Sequence, residues 1–79
     1  MSIEPQKEKL KEFGKHLEML RKKQNLSLRK LATRCNIDYA DIKRYEDGDI
    51  NMSFYSMVDL ANGLKVSLKE LMDFKLLSK

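Results

Sequence analysis

The chain has 79 residues and a formal net charge of +4, with 42% hydrophobic and 35% charged residues, a balance that fits one folded domain and excludes a disordered chain. No apolar run approaches the roughly 20 residues needed to span a bilayer, and the N-terminal stretch lacks the apolar segment of a signal peptide. The single cysteine excludes an internal disulfide and agrees with a reducing compartment, so we expect a cytoplasmic protein without membrane contact.

The first predicted element is a helix that begins at Lys7 and ends near Gln24. Residues 1–6 include Pro5 and show no apolar period, so we interpret them as a disordered lead to a single domain over residues 7–79. Apolar residues then recur with spacings of three, four and three, at Leu10, Phe13, Leu17 and Leu20. This spacing predicts one buried stripe along the helix.

A second, shorter helix is predicted from Leu28 to Cys35, with Ser27 as its N-cap. Its apolar side would consist of Leu28, Leu31 and Ala32. Asn36 follows the helix end, and asparagine tolerates the left-handed backbone conformation that a tight turn needs. We therefore expect Asn36 to form the turn between the second and third helices.

A third helix is predicted after this turn, with Asp38 as its cap, Asp41 three residues later in a variant of the capping box, and Gly48 at its end. The helical period gives it two different sides. Asp38, Ile42 and Tyr45 would pack, the opposite side would consist of Ala40, Lys43, Arg44 and Asp47, and Tyr39 and Asp41 would lie at the two edges. Residues 28–47 thus form a predicted helix-turn-helix with one face free to enter a groove.

Two further short helices are predicted in the second half of the chain. Ser53 would start the fourth helix, with an inner side of Phe54, Met57, Leu60, Ala61 and Leu64. Ser67 and Glu70 form a Ser-x-x-Glu capping box that opens the fifth helix, with an inner side of Leu68, Leu71 and Met72. We therefore predict an all-α, compact five-helix domain.

Residues 54–79, the C-terminal part of the chain, carry more apolar side chains than a small core needs. They include Phe74, Leu76 and Leu77 near the end of the chain, and Tyr55 and Val58 on the outer side of the fourth helix. Because an exposed apolar patch usually marks an interface, we expect these five residues to form a homodimer interface. The alternative is that the C-terminal segment packs back on the first helix.

Ordered motifs run without a gap from Phe13 to Met72. They are Leu20-Arg21, Leu26-Ser27, Leu31-Ala32, Ile42, Glu46-x-Gly48, Leu60-Ala61-x-x-Leu64-x-Val66-Ser67 and Glu70-Leu71. This set resembles the Cro/lambda-repressor-like helix-turn-helix family, the XRE type of bacterial and phage regulators. The resemblance implies a lambda-repressor-like five-helix DNA-binding domain whose second and third helices dock on double-stranded DNA. It also implies a sequence-specific transcriptional regulator that binds a palindromic operator as a dimer, with half-sites about one helical turn apart.

Carried onto this sequence, the resemblance implies base contacts by Tyr39, Ala40, Lys43 and Arg44. Arg44 would reach the O6 and N7 of guanine, and Ala40 would touch a thymine methyl group. Lys43 would serve a base or a phosphate, and the hydroxyl of Tyr39 would also reach a phosphate. Phosphate contacts would come from Ser27, Leu28 and Arg29 at the start of the second helix. A structural ion pair between Arg21 and Glu46 would tie the first helix to the third.

Acidic residues around the third helix favour a different function. Residues 26–50 carry five basic and five acidic side chains, whereas residues 1–25 carry seven basic side chains against four acidic ones. Leu28 replaces the glutamine usual in the family, and Asp47 and Asp49 stand where polar or basic residues are common. An acid that faces a phosphate weakens binding by roughly 1 kcal/mol at a protein surface. The alternative is therefore a protein-interaction module, antitoxin-like or an adaptor, that keeps the fold but binds DNA weakly.

The remaining reactive side chains indicate no enzyme. Cys35 has no second cysteine nearby, so a buried thiol is expected rather than a redox sensor or a metal ligand. His16 is expected to be a partly exposed surface histidine rather than a pH switch. No constellation supports acid–base or nucleophilic chemistry, and no glycine-rich phosphate loop is present. We therefore expect no catalytic activity, cofactor, metal or small-molecule ligand.

Overall fold

The computed structural model describes residues 4–74, which form five α-helices and no strand. The helices are α1 (Glu4–Lys23), α2 (Leu28–Arg34), α3 (Tyr39–Asp47), α4 (Phe54–Leu64) and α5 (Leu68–Leu71). The predicted all-α, five-helix class is confirmed. Within this part of the chain, no helix combines the length and the apolar character that a membrane crossing requires.

The first helix begins three residues earlier than the sequence predicted, at Glu4 rather than Lys7. Proline fits the first turn of a helix, because its fixed φ is helical and its missing N–H would have no intrahelical acceptor there. Pro5 therefore belongs to α1, and residues 1–3 of the predicted lead lie outside the described residues. The predicted stripe is present, with Phe13, Leu17 and Leu20 buried and Leu10 half-buried.

The core receives side chains from all five helices. Its most completely buried large side chains are Leu17 of α1, Leu31 of α2, Ile42 of α3, Leu60 and Leu64 of α4, and Leu71 of α5. Helices α2 to α5 are only four to eleven residues long. Because isolated helices of that length are marginal in water, each depends on burial of its apolar face against the others.

The connection between α2 and α3 differs from the predicted turn. α2 ends at Arg34, and Cys35 is its C-cap in an extended conformation with φ −139° and ψ 170°. Among residues 4–74, the non-glycine residues with positive φ are Asn25 and Lys65, so Asn36 does not adopt the expected left-handed conformation. The extended backbone is consistent with the burial of Ile37, which the connection brings into the core.

Serine side chains cap three of the helices as the sequence predicted. The hydroxyl oxygens of Ser27, Ser53 and Ser67 each accept a hydrogen bond from the backbone N–H three residues later, at 3.0, 3.1 and 3.0 Å. Asp38 lies at the N-cap position of α3, but its side chain makes no capping hydrogen bond. Gly48 ends α3 in the left-handed conformation, with φ 73°.

Three residues that were predicted to face inward lie at the surface. Phe54 and Met72 are 63% and 44% exposed, since they lie at the first position of α4 and just past the last residue of α5. Asp38 is exposed because it precedes the first turn of α3. The inner side of α4 is otherwise as predicted, with Leu60, Ala61 and Leu64 buried.

Candidate nucleic-acid interface

Helix α3 has one buried face and one exposed face. Ile42 is fully buried and Tyr45 is nearly so. The residues that the sequence predicted to contact bases are all exposed, namely Tyr39, Ala40, Lys43 and Arg44. The structure thus brings these four side chains together on the outside of one nine-residue helix. A helix about 10–12 Å in diameter matches the width of the DNA major groove, about 12 Å.

A buried ion pair connects this helix to α1. Arg21 donates to the two carboxylate oxygens of Glu46, from Nε to Oε2 at 2.6 Å and from Nη2 to Oε1 at 3.0 Å. Arg21 Nη1 also donates to the backbone carbonyl of Leu26, at 2.7 Å. The hydrogen bonds to Glu46 raise the pKa of the Arg21 guanidinium above its usual value. Both side chains are buried, so the pair lies in the protein interior and orients α3 from its buried side.

Gly14 is a residue whose role sequence reasoning missed. A Cβ at this position would clash with the backbone carbonyl oxygen of Glu46 and would lie 2.6 Å from that of Tyr45. Glycine in the middle of α1 therefore allows α1 and α3 to approach closely. The signal in the sequence was an isolated glycine inside a helical pattern, which lowers helix propensity and often has a packing reason.

Both basic residues of the exposed face pair with acids of the same helix. Lys43 Nζ lies 2.9 Å from Asp47 Oδ1, and Arg44 Nη1 lies 3.4 Å from Asp41 Oδ1. The hydrogen bond to Asp47 raises the pKa of Lys43. These side chains are 43 to 60% exposed, so water competes for both pairs and each is weak. The face is locally balanced in charge, and a nucleic acid would have to displace or share the two carboxylates.

Arg29 and Tyr39 meet where α2 and α3 begin. Arg29 Nη2 donates to the Tyr39 hydroxyl at 3.1 Å, and its guanidinium carbon lies 4.2 Å from the ring centroid. The hydroxyl of Ser27 accepts from the backbone of Lys30, which leaves its own proton available to a phosphate. Leu28 packs its side chain against the core, so only its backbone N–H is available for the predicted phosphate contact.

The residues that were predicted to form a dimer interface lie in different environments. Tyr55 is 81% exposed and Val58 is half-buried, both on α4. Phe74 packs on α1, where its ring centroid is 5.7 Å from that of Phe13 in an edge-to-face arrangement. Phe74 therefore packs back on the first helix, which the sequence offered as the alternative to a dimer interface. Leu76 and Leu77 lie outside the described residues.

His16 and Cys35 take part in packing within the domain. His16 Nε2 lies 3.0 Å from the backbone carbonyl of Glu70, which links α1 to α5. Cys35 is half-buried, its Sγ lies 3.4 Å from the carbonyl of Leu31, and desolvation by burial raises the pKa of its thiol. A raised pKa keeps the thiol protonated and inert at neutral pH. Within residues 4–74, no three His, Cys, Asp or Glu residues are grouped so that they would hold a metal ion.

Comparison with known proteins identifies the family. A family model described as helix-turn-helix matches residues 17–71, whereas comparison with curated protein sequences finds no match. The restriction-modification controller protein C.AhdI from Aeromonas hydrophila has a similar structure, with 32% identity and a TM-score of 0.77 over 78% of this chain and 94% of that chain. The DNA-binding domain of BldD is 27% identical, with a TM-score of 0.74 over 90% of this chain and 97% of that chain.

A third similar structure is that of the restriction-modification controller protein C.Esp1396I, solved as a tetramer in complex with its natural 35 base-pair operator. It is 22% identical, with a TM-score of 0.71 over 82% of this chain and 96% of that chain, and this match concerns the fold. The family match covers most of the chain and includes α2 and α3, whose exposed face has the geometry of a groove-binding helix. The resemblance found in the sequence is confirmed, and the chain belongs to the XRE-type helix-turn-helix family of DNA-binding transcriptional regulators.

Proposed function

We propose that this chain is a cytoplasmic transcriptional regulator that inserts α3 into the major groove of a double-stranded operator. The observation that carries the proposal is the exposed face of α3, which lies opposite the buried Ile42 and is oriented by the Arg21–Glu46 ion pair. Further support comes from relatives with the same fold, which are a restriction-modification controller and a DNA-binding domain.

Each exposed side chain has a role in this proposal. Arg44 forms a bidentate hydrogen bond with guanine, Ala40 contacts a thymine methyl group, and Lys43 serves a base or a phosphate. Tyr39 and Arg29 bind the phosphate backbone together, because their contact in the free protein holds both at the junction of α2 and α3. Ser27 and the backbone N–H of Leu28 add contacts to the same strand.

The regulator acts as a homodimer on an inverted repeat. A single domain of this size offers one groove-binding helix, α3. Two copies of α3 related by a two-fold axis would read two half-sites about one helical turn apart. The support within the protomer is on α4, where Tyr55 is 81% exposed beside the half-buried Val58. Tyrosine is enriched at protein interfaces, and residues three apart are neighbours on a helix surface, so Tyr55 and Val58 can contribute to one contact surface.

The test is a binding selection from randomised duplex DNA at about 50 mM salt, followed by anisotropy titration of the enriched sequence. We expect an inverted repeat, and we expect Arg44→Ala to lose roughly 1–3 kcal/mol of binding free energy together with the preference for guanine at one position of each half-site. Lys15→Ala is the matched control, because it removes one exposed positive charge from α1 outside the helix-turn-helix. Equal effects of the two variants would contradict the assignment of Arg44.

A protein-interaction module is the second candidate function. The ion pairs Lys43–Asp47 and Arg44–Asp41 favour it, because they neutralise the basic side chains that DNA would need. The same selection separates the two functions. Recovery of weak, sequence-independent binding alone would favour a protein partner, whereas enrichment of an inverted repeat would exclude this candidate.

A further inference from the structure

Asp41 lies on α3, three residues before Arg44. Its Oδ1 atom is 3.4 Å from Arg44 Nη1, and the two side chains are 45% and 60% exposed. Residues three apart are neighbours on a helix surface, so this carboxylate accompanies Arg44 wherever α3 docks. We propose that Asp41 determines specificity by accepting a hydrogen bond from the exocyclic amino group of a base next to the guanine that Arg44 reads. This inference depends on the proposed function.

The chemistry of the major groove leaves few favourable partners for a carboxylate. Phosphate oxygens, the O6 and N7 of guanine, and the O4 of thymine are acceptors that repel it. The donors that base edges present in this groove are the amino groups N4 of cytosine and N6 of adenine. Every base pair presents one such amino group, so a carboxylate on the exposed face of α3 distinguishes base pairs by the strand that carries the amino group. On the strand of the guanine that Arg44 reads, the neighbouring position should therefore be cytosine or adenine rather than guanine or thymine.

Arg44 can keep its contact with Asp41 while it binds guanine. A guanidinium has five N–H donors, and bidentate binding to O6 and N7 of guanine uses two of them. The remaining donors are sufficient for a carboxylate, so the pair would read two neighbouring bases as one unit. In this proposal Asp41 therefore contacts a base while it remains beside Arg44.

Asp47 has the same charge on the same helix but a different partner. Its Oδ1 atom lies 2.9 Å from Lys43 Nζ, and the lysine ammonium is a compact charge without the directional fork of an arginine. Asp47 is also the last residue of α3, beyond the predicted base-contacting residues. Removal of Asp47 should therefore leave the discrimination at the base that Asp41 faces unchanged, which makes it the matched control for Asp41.

The experiment compares the wild type with Asp41→Ala and Asp47→Ala in a selection from randomised duplex DNA, followed by titration of the consensus and of single-base variants. We expect the wild-type consensus to contain cytosine or adenine beside the guanine whose preference Arg44→Ala abolishes, on the same strand as that guanine. Asp41→Ala should lower the discrimination at that neighbouring position by about tenfold and leave the distant positions unchanged. Asp47→Ala should raise the affinity for DNA and keep the wild-type discrimination at that neighbouring position.

Circular dichroism melting shows whether both variants remain folded, which we expect because both side chains are partly exposed. Guanine or thymine at the neighbouring position of the wild-type consensus, on the same strand as the guanine that Arg44 reads, would overturn the inference. The inference would also be overturned if Asp41→Ala selected the wild-type consensus with unchanged discrimination, or if Asp47→Ala lost as much discrimination at the neighbouring position as Asp41→Ala. Either result would leave the proposed function intact. If the wild type enriches no sequence, the proposed function fails and this inference fails with it.

Discussion

Single residues decide how α1 and α3 are held together, and Arg21 and Glu46 illustrate this at the level of charge. Their side chains are 9% and 3% exposed, and the bidentate geometry satisfies both charged groups. A buried pair of this kind is not strong evidence of net stabilisation, but loss of one partner leaves an uncompensated charge in the interior. Removal of one partner should therefore lower the stability of the domain much more than the intact pair raises it.

We predict that Glu46→Ala lowers the free energy of unfolding by about 3–5 kcal/mol, because Arg21 is then buried without a counter-charge. Urea unfolding followed by circular dichroism measures the change. The matched control is Glu18→Ala, which breaks the exposed pair of Glu18 and Lys22 at 2.9 Å. Unfolding midpoints of the control should remain close to the wild type, and a control as unstable as Glu46→Ala would show that burial is not the cause.

We predict that Gly14→Ala destabilises the domain by about 1–3 kcal/mol, although alanine is the better helix former. The added Cβ would meet the backbone of Glu46, which cannot move without shifting α3. Gly63→Ala is the comparison, because its Cβ would meet mainly side chains, at 3.2 Å from Leu31 Cδ1 and Cys35 Cβ. Thermal melting of both variants is the measurement. A Gly14→Ala protein as stable as the wild type would mean that α1 and α3 are not in close contact.

At the scale of the elements, the helix ends differ in how they are capped, although the sequence predicted a cap for α3 as well as for α5. Ser53 and Ser67 accept capping hydrogen bonds, whereas Asp38 does not. We predict that Ser53→Ala lowers the free energy of unfolding by about 1 kcal/mol. Asp38→Ala should have a smaller effect, because it removes no capping bond. Urea titration of both variants checks the order, and the reverse order would contradict the capping geometry of α3.

The acids at the end of α3 give a prediction about binding. We expect the double substitution Asp47→Asn with Asp49→Lys to raise the affinity for DNA and to steepen the salt dependence by about one released counterion for each added phosphate contact. Anisotropy titrations at several salt concentrations measure both quantities. Glu70→Gln with Asp73→Lys, at two exposed acids of α5 and just past it, is the control, because it changes the net charge by the same amount away from α3. Affinity and salt dependence that stay unchanged in the double variant would contradict docking of α3 on DNA.

At the scale of the whole molecule, the proposal of a homodimer depends on α4. We predict that the wild type sediments as a concentration-dependent dimer and that Tyr55→Ala remains a monomer at concentrations where the wild type is dimeric. Tyr39→Ala removes the other exposed tyrosine of the described residues and should leave the sedimentation unchanged. A monomeric wild type, or an equal effect of the two variants, would remove Tyr55 from the interface.

What the sequence determined by itself is the local structure and the family. The serine caps at Ser27, Ser53 and Ser67, the end of α3 at Gly48 and the apolar spacing of α1 depend on residues within one or two helical turns of each other. Capping and helical periodicity act over that short range, so they can be inferred without a fold. The exposed face of α3 followed from the same periodicity.

Only the tertiary structure decided the contacts between distant parts of the chain. The approach of α1 to α3 at Gly14, the packing of Phe74 on Phe13, and the contact of Arg29 with Tyr39 all depend on where whole helices lie. The backbone is likewise extended at Cys35 and Ile37 is buried, whereas the turn preference of Asn36 predicted a left-handed residue there. Burial in a shared core outweighs a weak local preference, because the free energy gained depends on neighbours that the local sequence does not specify.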